Sequence, residues 1–432
     1  MRNKIRLLWS NEYIQGGFFL TISSFIINFL NYLFHFIAGR ILGPSGYGEI
    51  TSLYSYISLI SVPVAVVSTF FIQKISSREN NQREYAAVLE ILFWKFLRHW
   101  SWILFPLLLL IPFIPRITNL TPSIAYTLIP FIILGFIGSF YGSVFQGLRL
   151  FFLSALLAIL SGVFKLTSIV PAVIKINNIS GVVITQLFFS LITLGISIYI
   201  IRKILKKFRH KNSLQKNVNI GRILTNKFFL MTLISLLGVA LIGALDMIFV
   251  KKFFSAYESG IYNSWNLFAK IILYILGPMS QVSFVFFSDR SQRHLQERVL
   301  IISIILLGVV GISGYIGYLT FGSLLLNIMF GSKFNAVLPY MGYAAVFGAF
   351  FSAITFFNSY FLAKKSKMSL LVFFMIPIYV IGLYIIPKNI LNIMYVNIAF
   401  SALLTIIYSY IFFFNKKSIP HAGISCGKMV PK

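Results

Sequence analysis

Long apolar segments constrain this sequence more than any other feature. A helix needs about 20 mostly apolar residues to cross the hydrocarbon core of a bilayer, because each residue adds about 1.5 Å. Twelve segments of the sequence meet this requirement. They cover residues 15–39, 49–73, 96–115, 123–146, 153–174, 180–201, 228–250, 260–287, 299–320, 337–362, 369–386 and 392–414. The sequence therefore predicts an all-α polytopic membrane protein with about 12 transmembrane helices.

Composition agrees with this fold class and narrows the chemistry. Only 11% of the residues are charged, against about 25% in soluble domains. The 37 Lys and Arg face 9 Asp and Glu, which leaves a net charge of +28 and few carboxylates for metal clusters or acid catalysis. The single cysteine, Cys426, excludes an intrachain disulfide. The first apolar segment is longer than a signal-peptide core, so we expect the first helix to stay in the mature protein.

Basic residues predict the orientation. With the N-terminus inside, 28 of the 37 Lys and Arg lie in inner segments and 7 in outer loops. This bias predicts that both termini lie in the cytoplasm. The expected location is the cytoplasmic (inner) membrane. The bias also explains the high net charge without a nucleic-acid partner. The basic segment 202–227 is expected to be a solvated linker that touches anionic membrane lipids.

That linker divides the predicted spans into two sets of six. We expect an N-terminal bundle at 1–201, a C-terminal bundle at 228–414 and a cytoplasmic tail at 415–432. An even number of spans per repeat predicts a pseudo-twofold axis along the membrane normal. At an offset of 212 residues, Arg40 corresponds to Lys252 and Gly48 to Gly260, in short outer turns. Glu49 and Glu258 flank these turns and are expected to be solvated.

Two stretches carry a family resemblance. Arg40-Ile-Leu-Gly-Pro-Ser-Gly-Tyr-Gly48 and the stretch from Asp246 to Tyr262 resemble the most recognisable parts of the polysaccharide transporter family. These are Wzx-type flippases of lipid-linked oligosaccharides, related to the multidrug MATE exporters. The resemblance implies a MATE-like fold of two six-helix bundles, alternating access and an undecaprenyl-diphosphate-linked glycan as cargo. It also implies glycosyltransferases and a polymerase of the same pathway as partners.

Polar residues recur at helical spacing inside the spans. Thr21, Ser24, Asn28, Asn31 and His35 share one face of the first span, and Asn263, Asn266 and Lys270 share a face of the eighth. Polar groups at this depth usually face a bundle interior or a water-filled cavity. Two interpretations remain: hydrogen bonds between helices, or the lining of a shared lumen.

Charged residues inside the spans are the strongest candidates for a site. Lys165 and Lys270 lie near the middle of their spans, and Asp246 is the only carboxylate that we place inside one. The functional hypothesis is that both lysines, with His35 and Arg40, form a cationic path for a diphosphate headgroup. The alternative for one lysine is a structural pair with Asp246. Asp246 is either such a counter-ion or a carrier of H⁺ or Na⁺ during coupling.

No enzymatic motif accompanies these residues. The sequence has no phosphate-binding Gly-x-x-x-x-Gly-Lys-Ser/Thr loop, no His-Glu-x-x-His and no Gly-x-Ser-x-Gly, so we expect neither enzyme nor cofactor. Two rival functions remain. A membrane polymerase or ligase would need outer loops longer than the predicted maximum, Phe321–Ala336. A MATE-like ion-coupled exporter of cationic small molecules would need carboxylates in its lumen, where two lysines and one aspartate are predicted.

Overall fold

This computed structural model describes residues 12–76, 81–100, 111–175, 178–208, 227–288 and 293–414. Most of these residues lie in helices. Within those ranges there is no β-strand, so the all-α prediction is confirmed. The α-helices are α1 Glu12–Ser76, α2 Gln82–Trp100, α3 Ile114–Thr118, α4 Pro122–Ala125, α5 Leu128–Gly147, α6 Phe151–Thr167, α7 Val170–Ile174, α8 Ile179–Leu205, α9 Lys227–Ile242, α10 Leu245–Phe253, α11 Ala256–Ser288, α12 Arg293–Met329, α13 Met341–Ala363, α14 Leu371–Ile385 and α15 Ile390–Phe414. Short 3-10 helices cover Ile111–Phe113, Lys206–Phe208, Ser332–Tyr340 and Lys367–Leu370.

Helix α1 contains the first two predicted spans. Its apolar part, Ile22–Ser76, has 55 residues, which is about 80 Å of helix and far more than one bilayer crossing needs. The two parts meet at Gly43, whose φ of 66° and ψ of −177° lie in a region open essentially to glycine alone. Pro44 follows and lacks the N–H that a continuous helix would use. The predicted outer turn at Arg40–Gly48 is therefore a one-residue kink.

Eight helical segments of the described chain are long and apolar enough to cross a membrane. A ninth arises if α9 and α10, which are bent by 43° at their junction, count as one span. The predicted number of spans, twelve, is therefore not confirmed. One reason is that α1 counts once although it holds two predicted spans. Another is that residues 101–110 of the predicted third span lie outside the described residues.

The expected long outer loop at Phe321–Ala336 is wrong. Helix α12 continues to Met329, and a 3-10 helix begins at Ser332. Only the junction around Gly331, with a φ of 80°, departs from helical structure. The apolar run Leu324-Leu325-Leu326 extends the helix beyond the predicted end of its span.

The chain forms two compact units. Unit 1 comprises residues 1–226, 243–264 and 323–338, and unit 2 comprises residues 227–242, 265–322 and 339–432. Unit 1 therefore combines residues 1–226 with two later segments of the chain, 243–264 and 323–338. The predicted division into two six-helix bundles at the basic linker stays a prediction, because residues 209–226 of that linker lie outside the described residues.

In unit 1, helix α2 packs one face on the neighbouring helices. Tyr85, Leu89 and Phe93, four residues apart, are buried, as an amphipathic helix requires. The ring of Phe93 stacks on that of Phe140 in α5 with centroids 4.0 Å apart. The opposite face carries exposed basic residues, including Lys95.

In unit 2, aromatic packing and buried hydrogen bonds between helices hold the core. Trp265 stacks on Phe347 at 5.6 Å, and its Nε1 donates to the carbonyl oxygen of Tyr340 at 2.9 Å. Ser235 donates to Asn358 at 3.0 Å, which links α9 to α13. Such contacts hold apolar helices together where lipid removes the hydrophobic drive for association.

Close backbone packing at the start of α11 gives a stability prediction. A Cβ at Gly260 would overlap the backbone of Pro44, just after the α1 kink. Gly277, in the same helix, has no atom within 4 Å of such a Cβ. We expect Gly260→Ala to destabilise the protein by about 1–3 kcal/mol through overpacking. Gly277→Ala should be neutral or slightly stabilising because alanine favours helix. Thermal unfolding in detergent measures both, and equal melting temperatures would contradict the close approach.

Candidate functional site

Lys165 lies at a break in its predicted span. It occupies the last turn of α6, which ends at Thr167, and α7 begins at Val170 with Pro171 near its start. The side chain is half-buried. Its Nζ lies 4.5 Å from the ring centroid of Tyr54 and 5.2 Å from that of Phe34. Among the residues that the structure describes, no carboxylate forms an ion pair with it.

The two rings beside Lys165 belong to a larger cluster of aromatic and polar side chains. The His35 ring contacts the rings of Phe34, Tyr47 and Tyr54, with centroids 5.7, 5.8 and 6.3 Å away. The Tyr47 hydroxyl and His35 Nδ1 are hydrogen-bonded at 3.2 Å. The Tyr54 hydroxyl donates to Gln186 Oε1 at 2.7 Å, which anchors that ring to α8. We call these residues the Lys165 site: Phe34, His35, Tyr47, Tyr54, Lys165 and Gln186.

The Lys165 site thus joins two predicted residues, Lys165 and His35, through aromatic rings that the sequence did not single out. Aromatic residues make up 17% of the chain, so Phe34 and Tyr54 carry no distinguishing signal. Gln186 was detectable, since it is a polar residue within a predicted span. In this arrangement the Lys165 ammonium group contacts the faces of aromatic rings and not carboxylates. Such a group can accept an anion without first losing an ionic partner.

The polar stripe of α1 leads to this site. Ser24 and Asn28 are exposed and Asn31 is half-buried, whereas the Thr21 side chain lies outside the described residues. Asn28 precedes His35 by seven residues, or about 10 Å along the helix. Because 3- and 4-residue spacings keep these side chains on one face, the stripe and His35 share a surface of the helix.

The predicted residues of α11 have different surroundings. Asn263 is 1% exposed, and its Nδ2 donates to Thr51 Oγ1 at 2.7 Å and to the carbonyl oxygen of Gly48 at 3.3 Å. These bonds join α11 to α1, as the interpretation of the polar residues as hydrogen-bonding groups between helices predicts. Asn266 is also buried, and Lys270 is half-buried; both belong to unit 2, whereas Lys165 belongs to unit 1. Their roles in substrate binding stay predictions.

Arg40 and Asp246 are held within unit 1. Arg40 Nη2 donates to the carbonyl oxygens of Asn327 and Ile328, at 2.7 and 2.6 Å, in the last turn of α12. A cation is favourable at this end of a helix, where carbonyl groups lack helical partners. Asp246 is fully buried and accepts a hydrogen bond from the Tyr262 hydroxyl at 2.6 Å. Both interpretations of Asp246, counter-ion and coupling residue, stay predictions.

Glu49 is buried, which corrects the expectation that it is solvated. Glu49 is 5% and Lys251 6% exposed, and the two side chains form an ion pair. Glu49 Oε1 also accepts from the backbone N–H of Thr121 at 2.5 Å, and Asn119 Nδ2 donates to the carbonyl oxygen of Lys251 at 2.8 Å. Lys251 lies in α10 and not in an outer loop, because that helix continues to Phe253. Asp246 is therefore not the only buried carboxylate.

Glu258, the other acid expected in solvent, caps a helix. Its Oε2 accepts hydrogen bonds from Ser255 N and Ser255 Oγ at 3.0 and 2.8 Å, and Ser255 Oγ accepts from Glu258 N at 3.2 Å. This reciprocal pattern is a capping box at the start of α11. The side chain is partly accessible, unlike that of Glu49.

The two glutamates form a matched pair for mutation. We expect Glu49→Gln to lower the free energy of unfolding by about 3–5 kcal/mol, because it leaves the Lys251 ammonium buried without its counter-ion. Glu258→Gln should have little effect, since glutamine also serves in a capping box. Thermal unfolding in detergent measures both. Adding Lys251→Met to Glu49→Gln should recover part of the loss; strictly additive losses would show that the pair is uncoupled.

Comparison with known proteins finds a matching family and solved structures with a similar fold. The family described as "Polysaccharide biosynthesis protein" matches residues 13–291. No curated protein sequence matches the chain. A MATE transporter solved with the ligand MaL6 is 12% identical, with a TM-score of 0.61 over 91% of this chain and 95% of that one. A eukaryotic MATE transporter is 11% identical, with a TM-score of 0.60 over 95% and 98% of the two chains.

A third similar structure is a MOP superfamily transporter from Pyrococcus furiosus, described by the reverse polarity of its binding pocket. It is 11% identical, with a TM-score of 0.56 over 91% of this chain and 94% of that one. At these identities the likeness shows the fold alone. The predicted MATE-like fold is confirmed.

Proposed function

The chain belongs to the polysaccharide biosynthesis protein family, and from this membership we propose that it is a flippase for polyprenyl-diphosphate-linked oligosaccharides. It would move the polar head from the inner to the outer leaflet of the cytoplasmic membrane by alternating access, while the polyprenyl chain stays in lipid. Both termini would lie in the cytoplasm, as the distribution of basic residues favours. Glycosyltransferases and a polymerase of the same pathway would supply and consume the cargo.

The single structural observation that carries this proposal is the Lys165 ammonium within Phe151–Ile174, an apolar helical segment long enough to cross a membrane. A cation at that depth costs at least about 2.5 kcal/mol. Its neighbours Tyr54 and Phe34 offset part of this through cation–π contacts. A diphosphate would add the missing negative charge, with short charge-assisted hydrogen bonds from the ammonium. The site is therefore suited to an anion that binds and leaves, because Lys165 has no fixed carboxylate partner in the described chain.

Polar groups beside Lys165 suit the rest of the headgroup. The rings beside the ammonium lead to such groups: the Tyr54 hydroxyl is bonded to Gln186, and the ring of His35, which is bonded to the Tyr47 hydroxyl, contacts Phe34 and Tyr54. Asn28 and Asn31 continue the polar surface along α1. Sugar hydroxyls both donate and accept, so amide and hydroxyl groups satisfy them without added charge. An inside-negative potential would assist outward movement by about 2.3 kcal/mol per negative charge per 100 mV.

Substitution of Lys165 tests the proposal. In proteoliposomes that contain a labelled undecaprenyl-diphosphate oligosaccharide, we expect Lys165→Ala to slow headgroup translocation at least about tenfold, which corresponds to about 1.4 kcal/mol. Lys165→Arg should keep part of the rate, because the positive charge remains. Lys175→Ala is the matched control: it removes the same charge from the exposed end of α7 and should change the rate less than about twofold. Normal translocation by Lys165→Ala would refute the proposed headgroup site.

A MATE-like exporter of cationic molecules has the same fold, and the Lys165 charge separates the two functions. Lys165 repels a cation, so Lys165→Ala should raise or leave unchanged the efflux of a cationic dye if the protein exports cations. For the proposed flippase, the same variant should lose translocation of the anionic lipid, and no dye efflux should occur. Both rates are measured in one set of proteoliposomes. Dye efflux that increases in Lys165→Ala would favour the exporter.

A further inference from the structure

A second basic site lies on unit 1, at the end of α8 away from the Lys165 site. A groove of about 730 Å³ opens there between α2 and α8. Its polar lining is Glu90, Trp94, Lys95, Arg98 and Arg202, with apolar side chains between them. Gln186 of the Lys165 site precedes Arg202 by 16 residues on the same helix, which is about 24 Å. The groove is therefore separate from the Lys165 site.

Buried hydrogen bonds fix one wall of this groove. Glu90 is 1% exposed, and its Oε1 accepts from the Tyr141 hydroxyl at 3.0 Å and from Arg202 Nε at 3.3 Å. Trp94 Nε1 donates to the same Tyr141 hydroxyl at 3.0 Å. The Arg202 guanidinium lies 5.7 Å from the Trp94 ring centroid. Arg202 is thus held in place, yet 48% of its side chain stays exposed.

The side chains that line the groove carry a positive net charge. The lining holds three basic residues, Lys95, Arg98 and Arg202, and one acid, Glu90; Lys95 and Arg98 are exposed on the same side of α2. The lining therefore carries a net charge of +2, from three basic residues and one acid. An oriented guanidinium binds phosphate oxygens through two parallel N–H groups, and a lysine adds a point charge. This arrangement suits a phosphate group.

The surroundings favour a phosphate that is attached to an acyl chain. Ile91 and Leu97 supply apolar walls of the groove, and Phe96 of α2 is 40% exposed. Trp94, with an indole N–H and a large apolar ring, is a side chain typical of the headgroup level of a bilayer. Arg202 lies three residues before Leu205, the last residue of the apolar helix that precedes Lys206 and Lys207, where a span meets water. Basic pockets between helices at this level bind lipid headgroups.

We propose that this groove binds the headgroup of an anionic phospholipid of the surrounding leaflet, with its phosphate at Lys95, Arg98 and Arg202 and an acyl chain along the apolar wall. The Glu90 carboxylate and Trp94 position Arg202 for this contact. The site is distinct from the transport path, so its occupancy can be measured without translocation. The proposal does not depend on the cargo of the protein.

Lipid retention on the purified protein tests this proposal. Native mass spectrometry in detergent would follow titration with dioleoyl phosphatidylglycerol and, in parallel, with dioleoyl phosphatidylcholine. We expect wild-type protein to retain the anionic lipid preferentially. The double variant Lys95→Gln/Arg98→Gln should lose at least about tenfold in apparent affinity for phosphatidylglycerol, because two phosphate-binding cations are removed. Affinity for phosphatidylcholine should not change.

A matched control separates the groove from general surface charge. Lys206→Gln/Lys207→Gln removes the same two charges from the adjoining exposed 3-10 helix and should change phosphatidylglycerol affinity less than about twofold. The swap Lys95→Arg/Arg98→Lys should retain binding. Unchanged melting temperatures of the glutamine variants without added lipid would show that folding is intact; should Lys95→Gln/Arg98→Gln unfold, the single variant Lys95→Gln replaces it, with an expected loss of about threefold.

Three outcomes would overturn the proposal. Equal losses in the two double variants would show diffuse attraction instead of a site. Equal retention of the two phospholipids by wild-type protein would show no headgroup recognition. In a third arm, undecaprenyl diphosphate competes with phosphatidylglycerol; displacement at equimolar concentration that Lys95→Gln/Arg98→Gln abolishes would assign the groove to the diphosphate carrier instead of to a membrane phospholipid.

Discussion

The free energy of a charge removed from water governs the structure of unit 1. In the described part of unit 1, each buried carboxylate has a defined partner: Glu49 pairs with Lys251, Glu90 with Arg202 and Tyr141, and Asp246 accepts from Tyr262. These contacts satisfy groups that lipid cannot solvate. The contacts of Glu49 and Glu90 also join segments that are 51 to 202 residues apart in the sequence. A buried charge is stable only where another element supplies its partner.

Lys165 departs from this pattern, because no carboxylate in the described residues pairs with it. Its charge is met by the faces of Tyr54 and Phe34, which attract a cation without neutralising it. A carboxylate at the same place would hold the lysine permanently and would compete with an anionic substrate. Under the proposed function, the same ring contacts would stabilise the empty site and leave the ammonium available to a phosphate.

Close backbone contact is the second constraint on unit 1. Gly43 permits the kink that separates the two parts of α1, and Gly48 and Gly260 allow the backbone of α1 and α11 to approach. Hydrogen bonds from Asn263 to Thr51 and to the carbonyl oxygen of Gly48 then cross the same contact. The two glycine-containing stretches that carry the family resemblance thus have a structural role: they hold α1 and α11 together. The family match over residues 13–291 and the MATE-like fold are consistent with this packing.

The all-α membrane fold follows from the order of residues alone, because an apolar segment of about 20 residues has few other stable states. The order of residues also gave Lys165 and His35 as candidate site residues, since a charged or titratable residue within such a segment stands out. It did not reveal Tyr54 and Phe34 as their neighbours, because aromatic residues are common throughout the chain. The burial of Glu49 depends on tertiary packing. Its position beside a turn suggested a solvated side chain, but folding brings Lys251, 202 residues later in the chain, into an ion pair with it. Helix formation depends on local spacing and composition, whereas the state of a charge depends on which distant side chain packs beside it.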